Sequence, residues 1–306
     1  MSRSFEELMN RLSSCEKKVL SVACAQDEPV LEAVKEAHEK GIVDAILVGR
    51  EDEIKTIGTR IGMNLADYRI IDVQDPAEAA HTAVSLVHDG KADMYMKGIL
   101  PTKDFLKSVL DKEVGLRKNK VLSHVAVFEI PGIDHLLFLS DVAFIPYPSL
   151  EDKKEMIRYC VEIANACGVD MPKVAPLAAV EVVNPKMPVT VEAQQLHEAN
   201  VAGEITGCVV DGPLSLDIAL YEQAAIEKGA QDRPCAGKSD ILIFPDIHAG
   251  NLVYKTIVHT VPFKNACILM GTKAPAILTS RSDSKETKVN SIAVAAVVAH
   301  HLGEGF

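Results

Sequence analysis

Short apolar runs separated by amphipathic stretches of about three turns set the pattern of the first third of the chain. Residues 18–25, 44–48, 69–73 and 94–97 are rich in Val, Ile, Leu, Ala and Met and are of strand length. Between them, 29–40, 51–61 and 75–88 carry apolar residues at helical spacing, and Gly41, Gly62 and Asp89-Gly90 follow as stop signals. This alternation predicts parallel pairing through right-handed crossovers, a doubly wound α/β arrangement. The period then changes: 124–130 and 135–139 flank Pro131-Gly132, which predicts two antiparallel strands joined by a turn. Pro146 and Pro148 break the chain before a helix predicted over 150–167, and this break is the expected crossing between two domains. Alternation resumes with strands predicted at 173–178, 206–211, 240–244, 267–270 and 276–278. The intervening helices are predicted at 189–200, 217–228 and 250–258, and an Ala/Val-rich final helix, expected to be mostly buried, at 289–300.

Length and composition narrow the class. A chain of 306 residues sits where one hydrophobic core commonly gives way to two. With 48% hydrophobic against 25% charged residues it has the composition of a folded protein. The net charge of -11 repels a polyanionic backbone unless one face is locally basic, which argues against nucleic acid as the principal partner. A small anion remains compatible, because a local group of amides and one or two cations binds phosphate against an acidic overall field. The seven cysteines are odd in number and scattered, which fits a reducing, cytoplasmic compartment rather than a disulfide framework. The first residues lack the apolar core of a signal peptide, and no run reaches the roughly 18 apolar residues of a membrane span. G-x-x-x-x-G-K-[ST], G-x-G-x-x-G and G-x-S-x-G are all missing, so neither a P-loop, nor the usual dinucleotide fingerprint, nor a nucleophile elbow is supported.

In open α/β sheets ligands bind beyond the carboxyl ends of strands, and four such ends are polar and rich in Gly or Pro. Lys97-Gly98-Ile99-Leu100-Pro101-Thr102 offers a lysine and a hydroxyl around a tight turn before a helix. It reads equally as a phosphate site and as a solvated loop in which Thr102 caps the helix. In Asp211-Gly212-Pro213-Leu214, with Asp217 beyond, the structural reading is favoured: Asp211 binding its own turn and Asp217 capping. From Phe244-Pro245-Asp246 onward, Gly250-Asn251 allow close backbone approach at a helix start, with Lys255 one turn on. That suits a phosphorylated or adenine-bearing ligand; capping by Asn251 and a surface Lys255 are equally open. Asp246 and His248 are too few for a metal site, and none is expected. The fourth runs from Gly271-Thr272-Lys273-Ala274-Pro275 to Thr279-Ser280-Arg281-Ser282-Asp283-Ser284, where an arginine among hydroxyls supplies donors for several phosphoryl or carbonyl oxygens. Here function is favoured. Ser123 and His124 are chain neighbours that need not face one another, so a hydrogen-bonded or core histidine is at least as good a reading as a catalytic pair.

Taken in order, with Leu122-Ser123-His124-Val125 and Ala219 added, these segments resemble the phosphate acetyl/butyryl transferase family over nearly the whole chain. The compact length and the 97–102 stretch are more like its butyryl members. The resemblance implies two doubly wound α/β domains, 1–140 plus 280–306 (the final helix returning) and 141–279, with the active cleft between them. It also implies a homo-oligomer, at least a dimer. The fold is related to that of isocitrate and isopropylmalate dehydrogenases, whose metal-dependent decarboxylation of hydroxy acids is an alternative activity; their metal-binding aspartates after a basic clamp are not found. The implied reaction is acyl-CoA plus inorganic phosphate giving acyl phosphate plus CoA, with CoA as substrate or product and no cofactor required. A phosphate acetyltransferase and a noncatalytic CoA-binding protein stay open as alternatives. Implied catalytic residues are Ser280, Arg281 and Glu286; implied substrate contacts are Lys97, Gly98, Thr102, Ser123, His124, Asp211, Gly250, Asn251 and Lys255. One departure stands out: Thr287 falls where the acetyl members have an aspartate thought to take the thiol proton. A neutral hydroxyl has little proton affinity near neutrality. Glu286 and Asp283 are neighbouring substitutes, and electrostatic stabilisation of the thiolate is the other solution.

Overall fold

The computed structural model describes residues 3–280 and 283–303. Among these, eleven strands follow in chain order: β1 (Lys18–Ala23), β2 (Val43–Gly49), β3 (Arg69–Asp72), β4 (Met94–Lys97), β5 (Ser123–Glu129), β6 (Leu137–Ser140), β7 (Lys173–Pro176), β8 (Val209–Val210), β9 (Ile241–Ile243), β10 (Lys264–Met270) and β11 (Ala276–Ile277). The chain divides into two compact units, one of Phe5–Leu122 with Asn265–Phe306, the other of Met1–Ser4 with Ser123–Lys264.

In the first unit the strand order is β3-β2-β1-β4-β11-β10. All neighbours are parallel except the antiparallel β10–β11 pair. β4 is buried along its whole length, as expected of a parallel strand covered on both faces. The crossover helices are Glu28–Glu39, Glu51–Arg60 and Pro76–His88. The last of these starts on Asp75, whose side chain accepts from the Ala77 and Glu78 amides, with Pro76 at the first helical position where its missing N–H costs nothing. Helix Lys285–Gly303 is buried without a break from Thr287 to Ala299. It packs on Glu28–Glu39 and Phe5–Leu12, and its Ala and Val side chains are small enough to be enclosed on all sides.

The second unit has the order β5-β6-β9-β7-β8, antiparallel only between β5 and β6. Its long helix, Leu150–Ala166, begins with a reciprocal capping box between Ser149 and Asp152.

The main departures from the expected plan lie in four segments. Residues 123–140 group with the second unit, because β6 continues that sheet through Ser140↔Ile243. Residues 265–279 group with the first, because β11 lies beside β4. The helix predicted over 217–228 is two, Leu216–Leu220 and Glu222–Glu227, parted by an extended Tyr221 (φ -122°, ψ 116°). The helix predicted from 250 starts at Ile247.

Candidate functional site

The register Ala23↔Lys97 and Met96↔Ile277 sets the carboxyl ends of β1, β4 and β11 in one row. Lys97, 5% exposed, donates to the carbonyls of Gly98 (3.3 Å) and Leu100 (3.2 Å), so its ammonium shapes the loop that follows it. Gly98 is there for space: its amide donates to Ala23 O at 2.8 Å, and an added methyl would lie 2.2 Å from Cys24 O. Pro101, not Thr102, is the N-cap of helix Thr102–Val109, which corrects the capping reading; Thr102 is its exposed first residue. Burial pushes the nearby Cys24 thiol up to about 11 against the opposing pull of Arg50, keeping it protonated at neutral pH.

Beyond β11, the exposed Ser280 gives its amide to Asp283 Oδ2 (2.6 Å) and takes the Asp283 amide on its carbonyl (3.2 Å). Arg281 lies outside the described residues, as does Ser282. Ser284 Oγ accepts from the Thr287 amide at 3.0 Å and so closes the start of the final helix. Thr287, 5% exposed, donates its hydroxyl to Asn265 Oδ1 at 2.7 Å, a packing bond inside the unit. Glu286 is exposed in the first helical turn. Lys288, which the sequence reading passed over, is 2% exposed, and its ammonium donates to Asp283 O at 2.6 Å and to Ser280 O at 3.5 Å. Burial lowers its pKa, while Asp283 and Asp27 pull it back up.

A second group forms in the other unit around Asp141, also missed from sequence. This carboxylate is 2% exposed and takes four donors: Ser123 Oγ (2.9 Å) and His124 N (2.8 Å) on Oδ2, Ala143 N (2.8 Å) and Phe144 N (2.6 Å) on Oδ1. Ser123 Oγ also meets Ser140 Oγ at 2.9 Å. Gly250 packs on the same segment, where a methyl would come 2.2 Å from Asp141 O. Asn251 Nδ2 donates to Val142 O at 2.9 Å. The N-cap of this helix is Asp246, accepting from Ala249 N at 3.0 Å, so neither Gly250 nor Asn251 stands at its start. Lys255 is therefore well into the helix, exposed, its ammonium 5.6 Å from the Tyr254 ring centroid. His248 Nε2 contacts Tyr147 Oη at 2.9 Å.

Asp211 follows β8 in the second unit. Its Oδ1 is forked by Arg233 (Nη2 2.6 Å, Nε 3.1 Å), and Arg233 also donates to Pro213 O at 2.8 Å. That replaces the expected bond to its own turn. Asp217 is likewise no cap: Lys228 at 2.8 Å and the Ser215 hydroxyl hold its carboxyl down to about 2. Ala219 is buried in the short helix beside it.

Among the described residues, no group of three or more His, Cys, Asp or Glu could hold a metal ion, and no helix is long and apolar enough to cross a membrane.

The chain matches the family model described as phosphate acetyl/butaryl transferase over residues 4–80 and 73–296. It is 54% identical to a phosphate butyryltransferase of Clostridium acetobutylicum over 98% of this chain and 99% of that protein. A phosphate acetyltransferase of Thermotoga maritima is 44% identical over 96% of this chain and 100% of that protein. Among solved structures, a branched-chain phosphotransacylase from Enterococcus faecalis superposes with a TM-score of 0.82 at 33% identity, over 93% of this chain and 99% of that one. A family match spanning almost the entire chain, joined to end-to-end likeness in sequence and fold, places the chain in the phosphate acetyl/butyryl transferase family of acyltransferase enzymes.

Proposed function

We propose that the protein reversibly transfers a short acyl group between coenzyme A and inorganic phosphate, with butyryl or a branched short chain preferred over acetyl. The observation that carries this reading is the 54% identity to a phosphate butyryltransferase along nearly the full length of both chains. The likeness to a branched-chain phosphotransacylase supports the broader acyl range.

A phosphate oxygen attacks the thioester carbonyl carbon; the new C–O bond forms, the C–S bond breaks, and CoA leaves as thiolate. Negative charge gathers on oxygen in the transition state, where preorganised donors act most strongly. Ser280 and Arg281 are assigned to that oxygen. Lys97 adds positive potential from the neighbouring strand end, and Thr102 and Lys255 are assigned to anionic parts of the substrates. Gly98, Ser123, His124, Gly250 and Asn251 are assigned to shaping backbone, and Asp211 to holding the Arg233 guanidinium beside its turn. No hydroxyl base is needed: with an ordinary thiol pKa of about 8.5, donors that stabilise the thiolate supply much of what a carboxylate would. In the reverse direction the CoA thiol gives up its proton, the thiolate attacks the acyl carbon and inorganic phosphate leaves; Glu286 is the remaining carboxylate candidate to take that proton, since Asp283 grips the Ser280 amide.

CoA is thus substrate or product, and no further cofactor is required. We assign a cytoplasmic location, to which seven free cysteines, six of them buried, are suited, and a homo-oligomeric state of at least a dimer. Steady-state kcat/KM for butyryl-CoA, a branched short acyl-CoA and acetyl-CoA tests the acyl assignment, since a methylene-sized pocket difference is worth about 1–3 kcal/mol. Butyryl or branched substrates should lead; a clear acetyl preference would overturn that assignment and leave phosphate-dependent transfer intact.

A further inference from the structure

We propose that Lys288 is a positioning residue for transacylation, holding the Ser280 turn in its working geometry. The inference rests on the assignment of Ser280 to the reacting centre. Lysines normally extend their ammonium into water, yet Lys288 lies in the first turns of the final helix with 2% exposure. Its ammonium reaches back to two carbonyls of the preceding turn, Asp283 O at 2.6 Å and Ser280 O at 3.5 Å.

Stability alone gives no reason for a cation here. Ser280 is exposed and Asp283 half-exposed, so water reaches this turn, whereas enclosing an ammonium is unfavourable. What the lysine does achieve is constraint. The Ser280 amide is tied to the Asp283 carboxylate and its carbonyl to both the Asp283 amide and Lys288, while Ser284 caps the helix just beyond. The Ser280 backbone is thereby tied to Asp283 and, through the Lys288 ammonium that bonds both Ser280 O and Asp283 O, to the buried Ala/Val helix. A hydroxyl aimed at a developing oxyanion contributes only when held to within a fraction of an ångström. The ammonium also brings positive potential to Ser280, and among the described residues Asp283 and Asp27 are the charged groups whose fields favour it.

The test is a double-mutant cycle of Lys288→Met and Ser280→Ala, read as kcat and KM for butyryl-CoA with phosphate saturating, folding checked by Tm. Lys288→Met should lower kcat at least about tenfold while KM changes less than about threefold, and in the Ser280→Ala background the same change should have little further effect on kcat. Lys288→Arg, which keeps a charged donor, should recover part of the loss. Full activity in Lys288→Met, or an equal kcat loss with and without the Ser280 hydroxyl, would overturn the proposal. If Ser280→Ala alone is unimpaired, the assignment of Ser280 fails, and the Lys288 proposal with it; if Ser280→Ala is impaired and Lys288→Met is not, only the Lys288 proposal fails. Should Lys288→Met not fold, Lys288→Gln carries the cycle with the same criteria.

Discussion

Thr287 shows how a residue's chemistry is decided by what its hydrogen bond is used for. Its hydroxyl is donated to Asn265 Oδ1 in a buried setting, and its oxygen meets Ser284 Oγ at 3.0 Å. Thr287→Val should therefore lower stability by about 1–3 kcal/mol, through loss of a donor to a buried amide oxygen, while kcat in folded protein stays within about threefold. Thermal unfolding beside steady-state turnover measures both; a collapse of kcat at unchanged Tm would return Thr287 to the chemistry. At this scale the sequence was partly readable. Lys97 closes β4, and Gly98 and Ser280 lie just beyond strand ends, so the strand-end rule singles these positions out as candidates without a structure. Asp141 and Arg233 escaped because their partners are set by register and tertiary approach: Asp141 meets residues 17 and 18 positions earlier, and Arg233 reaches back 22 positions to Asp211. Lys288 has local partners, 5 and 8 positions earlier, and escaped because a lysine in a first helical turn is ordinarily a solvated one.

Elements were legible where periodicity was long and unbroken. The strands and helices predicted between residues 18 and 97 lie within a few residues of their expected limits, because short apolar runs and glycine stops carry that information locally, while helix Phe5–Leu12 was not predicted. Helix Ile247–Thr260 was misread at its start: a glycine inside a helix costs about 1 kcal/mol relative to alanine, so Gly250 looked like a boundary. Its reason lies elsewhere in the fold, in the Asp141 carbonyl against which the helix rests. Gly250→Ala should accordingly destabilise by roughly 1–3 kcal/mol despite alanine's better helix propensity, since the methyl forces the helix off residue 141. Chemical denaturation compares the two proteins, and an equal or raised midpoint would contradict the packing account. The strand at 206–211 was overextended, because only Val209–Val210 find pairing partners at the sheet edge.

For the whole molecule, α/β alternation made the architecture readable, whereas the limits of the two units depended on which strands pair and so could not be read from local pattern. The expected division at 140/141 and 279/280 differs from the units at 122/123 and 264/265, since the 123–140 hairpin carries one sheet and β11 completes the other. Family likeness runs across both units, which is why the proposed chemistry is a property of the whole chain. The most direct measurement follows free thiol and acyl phosphate together when the purified protein meets butyryl-CoA and inorganic phosphate, the acyl phosphate being trapped as its hydroxamate. Equal amounts of thiol and hydroxamate, and neither without phosphate, are predicted. Thiol release that needs no phosphate or leaves no acyl phosphate, or no release at all from folded protein, would contradict the account.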